Sequence, residues 1–227
     1  MNTKFCEEEG LREEYQCLVY LVRHGESVGN LNKVVLGHTD LSLTDKGREQ
    51  AALTADYLCE VDFCAIYSSD LKRAYETALP HSKIHGLPIK TDMRLREMYF
   101  GDWENRAVAE LVEEYGDMYW CDWRGGFGTF VPPSGEAVVD CAERIVGALE
   151  DICEGKSGAI LVTSHAAAIR SAWAKICGFE PGDWAQRVEF PTNASFSILG
   201  YRDGCFYPVS YSVDGHMGKL RTAIQTK

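Results

Sequence analysis

Three short apolar runs, Leu18–Val22, Phe63–Tyr67 and Ala159–Thr163, lack the clean alternation of polar and apolar residues that a half-exposed strand shows. Strands of this kind suit a largely parallel sheet buried on both faces, so helices must lie between them in the sequence. The intervening segments carry that pattern. After Thr44-Asp45, which supply an N-cap and an acidic first turn, Ala51, Ala55 and Leu58 fall on one helical face. After Ser69-Asp70, Leu71, Ala74 and Ala78 do the same, and Pro80 is predicted to limit the run. The longest helical pattern is Glu136–Cys153, with Val138, Ala142, Ile145, Leu149 and Ile152 as an apolar stripe against a charged back. A further helix begins directly after His165 and carries Ile169 and Trp173, and Ser195–Leu199 reads as a fourth strand.

Strand and helix in alternation predict a three-layer α/β/α fold around a mostly parallel central sheet. The chain of 227 residues is expected to form a single domain, 1–227. Residues 1–16 read as a solvated leader that packs late or stays mobile. Residues 98–134, rich in aromatics and glycine, fit the alternation least and read as a helical and loop insertion, a lid over one end of the sheet.

The net charge of −11 argues against nucleic acid or an anionic membrane as partner, since both need a basic face. It also means that any anionic ligand must be attracted by a local cluster of arginines. No stretch approaches the length of a membrane span, and Glu7–Glu9 stand where a signal peptide would be apolar. The nine cysteines form no C-x-x-C pair, so we expect free thiols and a cytoplasmic location.

In open α/β sheets, ligands gather at the carboxyl ends of the strands. The first predicted strand ends there in Arg23-His24-Gly25. The second ends in Ser68-Ser69-Asp70, with Arg73 in the next helical turn, and the third in Ser164-His165, with a helix opening at Ala166. Arginine's planar fork matches phosphate oxygens, and free N–H groups at a helix start favour the same anion. A neutral imidazole could then attack the phosphorus, with Gly25 letting the backbone come close to the phosphate. Glu97, between apolar neighbours, is the candidate proton donor, with burial expected to hold its proton near neutrality; Asp102 and Glu104 are the rival acids. Taken singly, each residue has a plain structural explanation, and their joint placement at one rim is what points to chemistry. His81 and His85 have metal-ligand spacing but no nearby carboxylate or cysteine set, and read as an exposed helix end. Tyr119, Trp120 and Trp123 are the type of aromatic that more often builds a core than stacks on a substrate.

The ordered segments LVRHGES, YSSDLKRAYETA, LREMYFGDWENR and VTSHAAAIR resemble the histidine phosphatase superfamily, also called phosphoglycerate mutase-like, over roughly residues 18–213. The resemblance implies that His24 is phosphorylated. Arg23, Arg73 and His165 would complete the phosphate pocket, and Glu97 would donate the proton. It further places Asn30, Gly37 and Ala166 among the phosphate-binding positions, and requires neither metal nor cofactor. Mutases usually follow their acid with Arg-His-Tyr-Gly, whereas this chain has Met98-Tyr99-Phe100-Gly101. FGDWENR instead resembles the phosphatase branch, with Asn105 in place of a glycine. Ala166 stands where the family often has glycine.

The resemblance therefore implies a metal-independent phosphomonoesterase of the histidine acid phosphatase type, acting on a small molecule through phosphohistidine. A 2,3-bisphosphoglycerate-dependent phosphoglycerate mutase is the alternative, and an inactive phospho-ligand-binding member is a third. Phe100, Trp103, Tyr119, Trp120, Trp123 and Phe127 suggest a partly apolar lid. Arg106 and Arg124 are the nearest extra cations for a second anionic group on the substrate. The sequence leaves the oligomeric state open.

Overall fold

The computed structural model describes residues 10–11, 13–116 and 123–222. Its strands are β1 (Cys17–Arg23), β2 (Phe63–Ser68), β3 (Ile89–Thr91), β4 (Gly158–Ser164), β5 (Phe196–Arg202) and β6 (Cys205–Val213). The helices are α1 (Val28–Leu31), α2 (Asp45–Tyr57), α3 (Lys72–His85), α4 (Val108–Tyr115), α5 (Val138–Cys153), α6 (Ala166–Ile176) and α7 (Trp184–Arg187). The sheet runs β3-β2-β4-β1-β5-β6. The first four of these pair in parallel, and the β5–β6 hairpin adds two antiparallel strands beside β1.

The alternation of side chains along β1 explains the layers. Cys17, Val19 and Leu21 point into the cluster that holds α5 and α6, including Val138, Ile145, Leu149 and Ile169. Leu18, Tyr20 and Val22 point the other way, toward Leu58 after α2 and Ala78 on α3. Both faces of the strand are buried, as its unbroken apolar run requires.

Several expectations are corrected. Helix α3 runs through Pro80 to His85 and stops at Gly86 in a left-handed conformation. A proline inside a helix removes one N–H donor, but Thr77, Ala78 and His81 are buried, and this packing outweighs the lost bond. His81 is therefore not at an exposed helix end: it is fully buried, with no partner for either ring nitrogen among the described residues. Leu71 occupies the N-cap position of α3 without a side-chain bond, and Asp40 Oδ1 accepts from the Lys72 N–H at 2.7 Å, while Asp70 is engaged by Arg96. Of the leader, Leu11 and Tyr15 pack against the second cluster, and a side chain at Gly200 would strike the Tyr15 ring at 2.5 Å.

Within 98–134, α4 and 3-10 turns at Gly101–Trp103 and Phe127–Thr129 are formed. This segment is more than a cover, since Trp103, Phe127 and Phe130 belong to the main core cluster. Tyr119 and Trp120 lie outside the described residues. No helix among the described residues is long and apolar enough to cross a membrane.

Candidate active site

β1 and β4 are parallel neighbours in register, Arg23 opposite Ser164, so His24 and His165 leave the sheet side by side. The His24 N–H continues the ladder, donating to the Ser164 carbonyl at 3.0 Å. His24 is buried, and its Nδ1 lies 2.7 Å from the Gly25 carbonyl oxygen. A carbonyl can only accept, so Nδ1 carries the proton and Nε2 keeps its lone pair. Burial first, then the charges of Arg73 and Arg23, hold the His24 pKa well below its ordinary value, and the ring is neutral at pH 7. Its backbone carbonyl accepts from Asn193 Nδ2 at 3.1 Å and from the Ala194 N–H at 3.2 Å.

Gly25 is required by packing of the backbone. A Cβ there would sit 2.3 Å from the Gly47 carbonyl oxygen, and one at Gly47 would sit 2.1 Å from the Glu26 carbonyl oxygen. Two glycines thus let the exit of β1 and the first turn of α2 touch backbone to backbone.

Arg73 is 1% exposed, and its Nη1 and Nη2 donate to the Thr39 and Gly37 carbonyls at 2.8 and 2.7 Å. Gly37 (φ +51°) therefore lines the cavity while its carbonyl holds the arginine; a Cβ there would strike Glu104 Oε1 at 2.0 Å. Glu104 ties this loop down by accepting from the His38, Thr39 and Phe100 N–H groups, and it does not line the cavity, whereas Glu97 does. Arg23 donates to the Pro191 carbonyl. Burial lowers both arginines' pKa to about 10, so both remain cations at pH 7. Neither has a carboxylate within ion-pair distance among the described residues, and each has a buried Nε without a partner.

Glu97 is 8% exposed. Its Oε1 accepts from the Met98 and Ala168 N–H groups, both at 2.9 Å, and its Oε2 accepts only from Ala167 N–H at 3.2 Å. The amides expected to meet a phosphate at the start of α6 are thus largely occupied by Glu97, and Ala166 is the first-turn position that faces the cavity together with Ala167. Asp102 bonds Ser134 and does not line the cavity. His165 lies behind the wall, with its ring centroid 5.2 Å from that of His24 and Nε2 2.9 Å from Ser69 Oγ. Its Nδ1 is buried without a partner, and burial with the Arg73 charge keeps its pKa well below the ordinary value.

These groups open onto a cavity of about 730 Å³, a volume suited to a small metabolite. Arg23, His24, Asn30, Arg73 and Glu97 line one end. Asn30 Oδ1 already accepts from Ser27 N–H and Asn193 Nδ2, so its amide N–H donors are what it can offer a ligand. Phe100, Trp123 and Arg124 also reach the cavity. Two expected specificity residues do not. Trp103 is fully buried among core aromatics, and Arg106 is drawn outward by Glu114.

The family model of the histidine phosphatase superfamily (branch 1) matches residues 19–214, which include every one of these groups. The chain belongs to the histidine phosphatase superfamily. It is 33% identical over 189 residues to phosphoglycerate mutase-like protein 4 of Arabidopsis thaliana, covering 82% of this chain and 80% of the relative. It is 33% identical over 179 residues to the adenosylcobalamin/alpha-ribazole phosphatase of Escherichia coli K12, covering 75% and 85%. Among solved structures, a mycobacterial glucosyl-3-phosphoglycerate phosphatase superposes with a TM-score of 0.81 at 26% identity, covering 87% of this chain and 99% of that one.

The site contains residues that sequence patterns did not single out. Arg144 on α5 donates to three backbone carbonyls at and just before the acid: that of Arg94 at 2.6 Å, that of Arg96 at 3.1 Å and that of Glu97 at 3.3 Å. It is held by a bidentate pair with Glu136, whose carboxylate also accepts from the Tyr99 N–H. Asn193 supports His24 and Asn30 together. Arg170 on α6 lines the cavity from within an otherwise apolar, buried helix. A lone cation in AAAIRSAWA was the available signal, since a helix apolar on all sides has no solvated face for it.

Proposed function

We propose that this histidine phosphatase hydrolyses a small phosphomonoester through a covalent phosphohistidine on His24. The observation that carries the proposal is the Nδ1–H held by the Gly25 carbonyl, which leaves Nε2 neutral and nucleophilic beside two arginines that form no ion pair among the described residues. Arg23 and Arg73 neutralise the phosphate dianion, and the Asn30 amide offers further donors. The Nε2 lone pair forms the P–N bond as the P–O ester bond breaks. The departing alkoxide takes a proton from Glu97, whose Oε2 is the less engaged oxygen. The Glu97 carboxylate then takes a proton from water as that water forms a P–O bond and the P–N bond returns its electrons to Nε2. We also place the protein in the cytoplasm, as its cysteine usage suggests.

Because the arginines supply the positive charge, hydrolysis of p-nitrophenyl phosphate should persist in excess chelator and be lost in His24→Ala. Equal, slow release by both proteins would overturn the enzyme reading, and abolition by chelator would overturn the metal-independent one. The mutase-like relative favours a second reading, return of the phosphate to another hydroxyl. Supplying 3-phosphoglycerate with 2,3-bisphosphoglycerate separates the two: rapid 2-phosphoglycerate formation with little free phosphate marks a mutase.

A further inference from the structure

Three arginines at the cavity, Arg23, Arg73 and Arg170, are each no more than partly exposed and have no carboxylate within ion-pair distance among the described residues. Two of them match the two charges of a phosphate dianion. The third cation, Arg170, forms no ion pair among the described residues and lines the same cavity.

Arg170 is also built to receive one. It is 3% exposed, and its Nε and Nη2 are fixed on the Val188 and Ala185 carbonyls at 2.6 and 3.1 Å. Its guanidinium carbon lies 4.1 Å from the centroid of the Phe127 ring and 4.2 Å from that of Phe190, so the plane of the fork is fixed as well. Nη1 is buried and without a partner among the described residues, a state that native structures seldom leave unfilled. Arg170 follows Ala166 by four residues, so both lie on one helical face about 6 Å apart along the axis. Arg124, 5.5 Å from the centroid of the Phe190 ring, adds a second positive charge to this wall. Glu189 also lines it but is exposed to water and makes no ion pair with Arg170.

We propose that Arg170 binds a carboxylate carried by the same substrate whose phosphate lies between Arg23 and Arg73, a conclusion that rests on the phosphatase reading of the site. The substrate class is then a carboxylated phosphomonoester, with the planar carboxylate meeting the planar fork.

The test uses two matched pairs that differ by one carboxylate: 3-phosphoglycerate against glycerol 3-phosphate, and phosphoserine against phosphoethanolamine. The wild-type protein should favour the carboxylated member of each pair by about tenfold or more in kcat/KM. Arg170→Gln should collapse both ratios to within about twofold of one, whatever its overall rate. A general loss of rate with unchanged ratios would overturn the inference, because that is how a folding defect behaves. Wild-type ratios near one overturn it independently of any variant. If p-nitrophenyl phosphate is hydrolysed in that case, the phosphatase reading stands. If no substrate releases phosphate, both fail together.

Discussion

Replacing Gly25 with alanine places a methyl group 2.3 Å from the Gly47 carbonyl oxygen, about 1 Å inside van der Waals contact. The neighbours are backbone atoms of α2, so no side chain can swing away. Relief requires the exit of β1 and the first turn of α2 to separate. Overpacking of this kind costs about 1–3 kcal/mol. In a domain of this size each kcal/mol lowers Tm by about 2–4 °C, which gives a fall of about 2–12 °C. The catalytic effect should be larger. The Gly25 carbonyl fixes the His24 tautomer, and its N–H donates to Thr77 Oγ1 at 3.1 Å, so the separation carries the imidazole with it. A displacement near 1 Å can cost about a hundredfold in rate. Thermal denaturation followed by circular dichroism, together with kcat on p-nitrophenyl phosphate, reads both effects. Gly147→Ala in α5 is the control, since nothing lies within 4 Å of its Cβ position, and its Tm should hold or rise. A Gly25→Ala protein with wild-type Tm and wild-type kcat would refute the backbone-contact argument.

Other expected outcomes follow from particular residues. His24 and His165 are held well below their ordinary pKa, and His81 at about 3, each chiefly by burial. The unfolded chain binds protons on these rings below about pH 6.5 and the folded chain does not, so stability falls as pH drops below that point, by up to about 1.4 kcal/mol per pH unit per ring. His81→Leu should raise Tm and flatten the acid side of a Tm-against-pH curve; an unchanged curve would contradict the burial of a neutral ring. The depressed His24 pKa also predicts that its protonation limits kcat/KM only well below pH 6.5, and an acid limb centred at 6.5 would count against it. Arg144→Met should lower kcat about tenfold or more with KM little changed, because it loosens the segment bearing Glu97 without touching the cavity; equal changes in both would argue against a positioning role. Arg106→Ala should leave kcat/KM within about twofold of wild type, since its partner Glu114 lies away from the cavity.

The four predicted strands lie at β1, β2, β4 and β5 because a buried strand must be apolar throughout, and that composition is visible residue by residue. β3 escaped because it is three residues long at the sheet edge, and β6 because it is partly exposed and carries Pro208. His24, Arg73, Glu97 and His165 were legible because each follows closely on a strand end or a recognisable segment. Gly37 and Gly25 were legible as glycines but not in purpose: one supplies a carbonyl to Arg73, and the other allows contact with Gly47. Such contacts join segments far apart in the sequence and have no local pattern. The same holds for Arg144, whose position in a charged helix face hides its reach to residues 94–97. Arg106 misled for the converse reason, as proximity in sequence to the aromatic segment does not decide which way a long side chain turns.

The central claim is that His24 itself becomes phosphorylated. Rapid acid-free quenching during turnover of a ³²P-labelled phosphomonoester, followed by alkaline digestion and peptide mapping, tests it directly. The account predicts label on the peptide containing His24, stable to alkali, labile to acid and absent in His24→Ala; with p-nitrophenyl phosphate, whose leaving group needs no proton, it should accumulate when Glu97→Gln slows the water step. Phosphate release at the wild-type rate by His24→Ala, or label that maps to another residue, would contradict it.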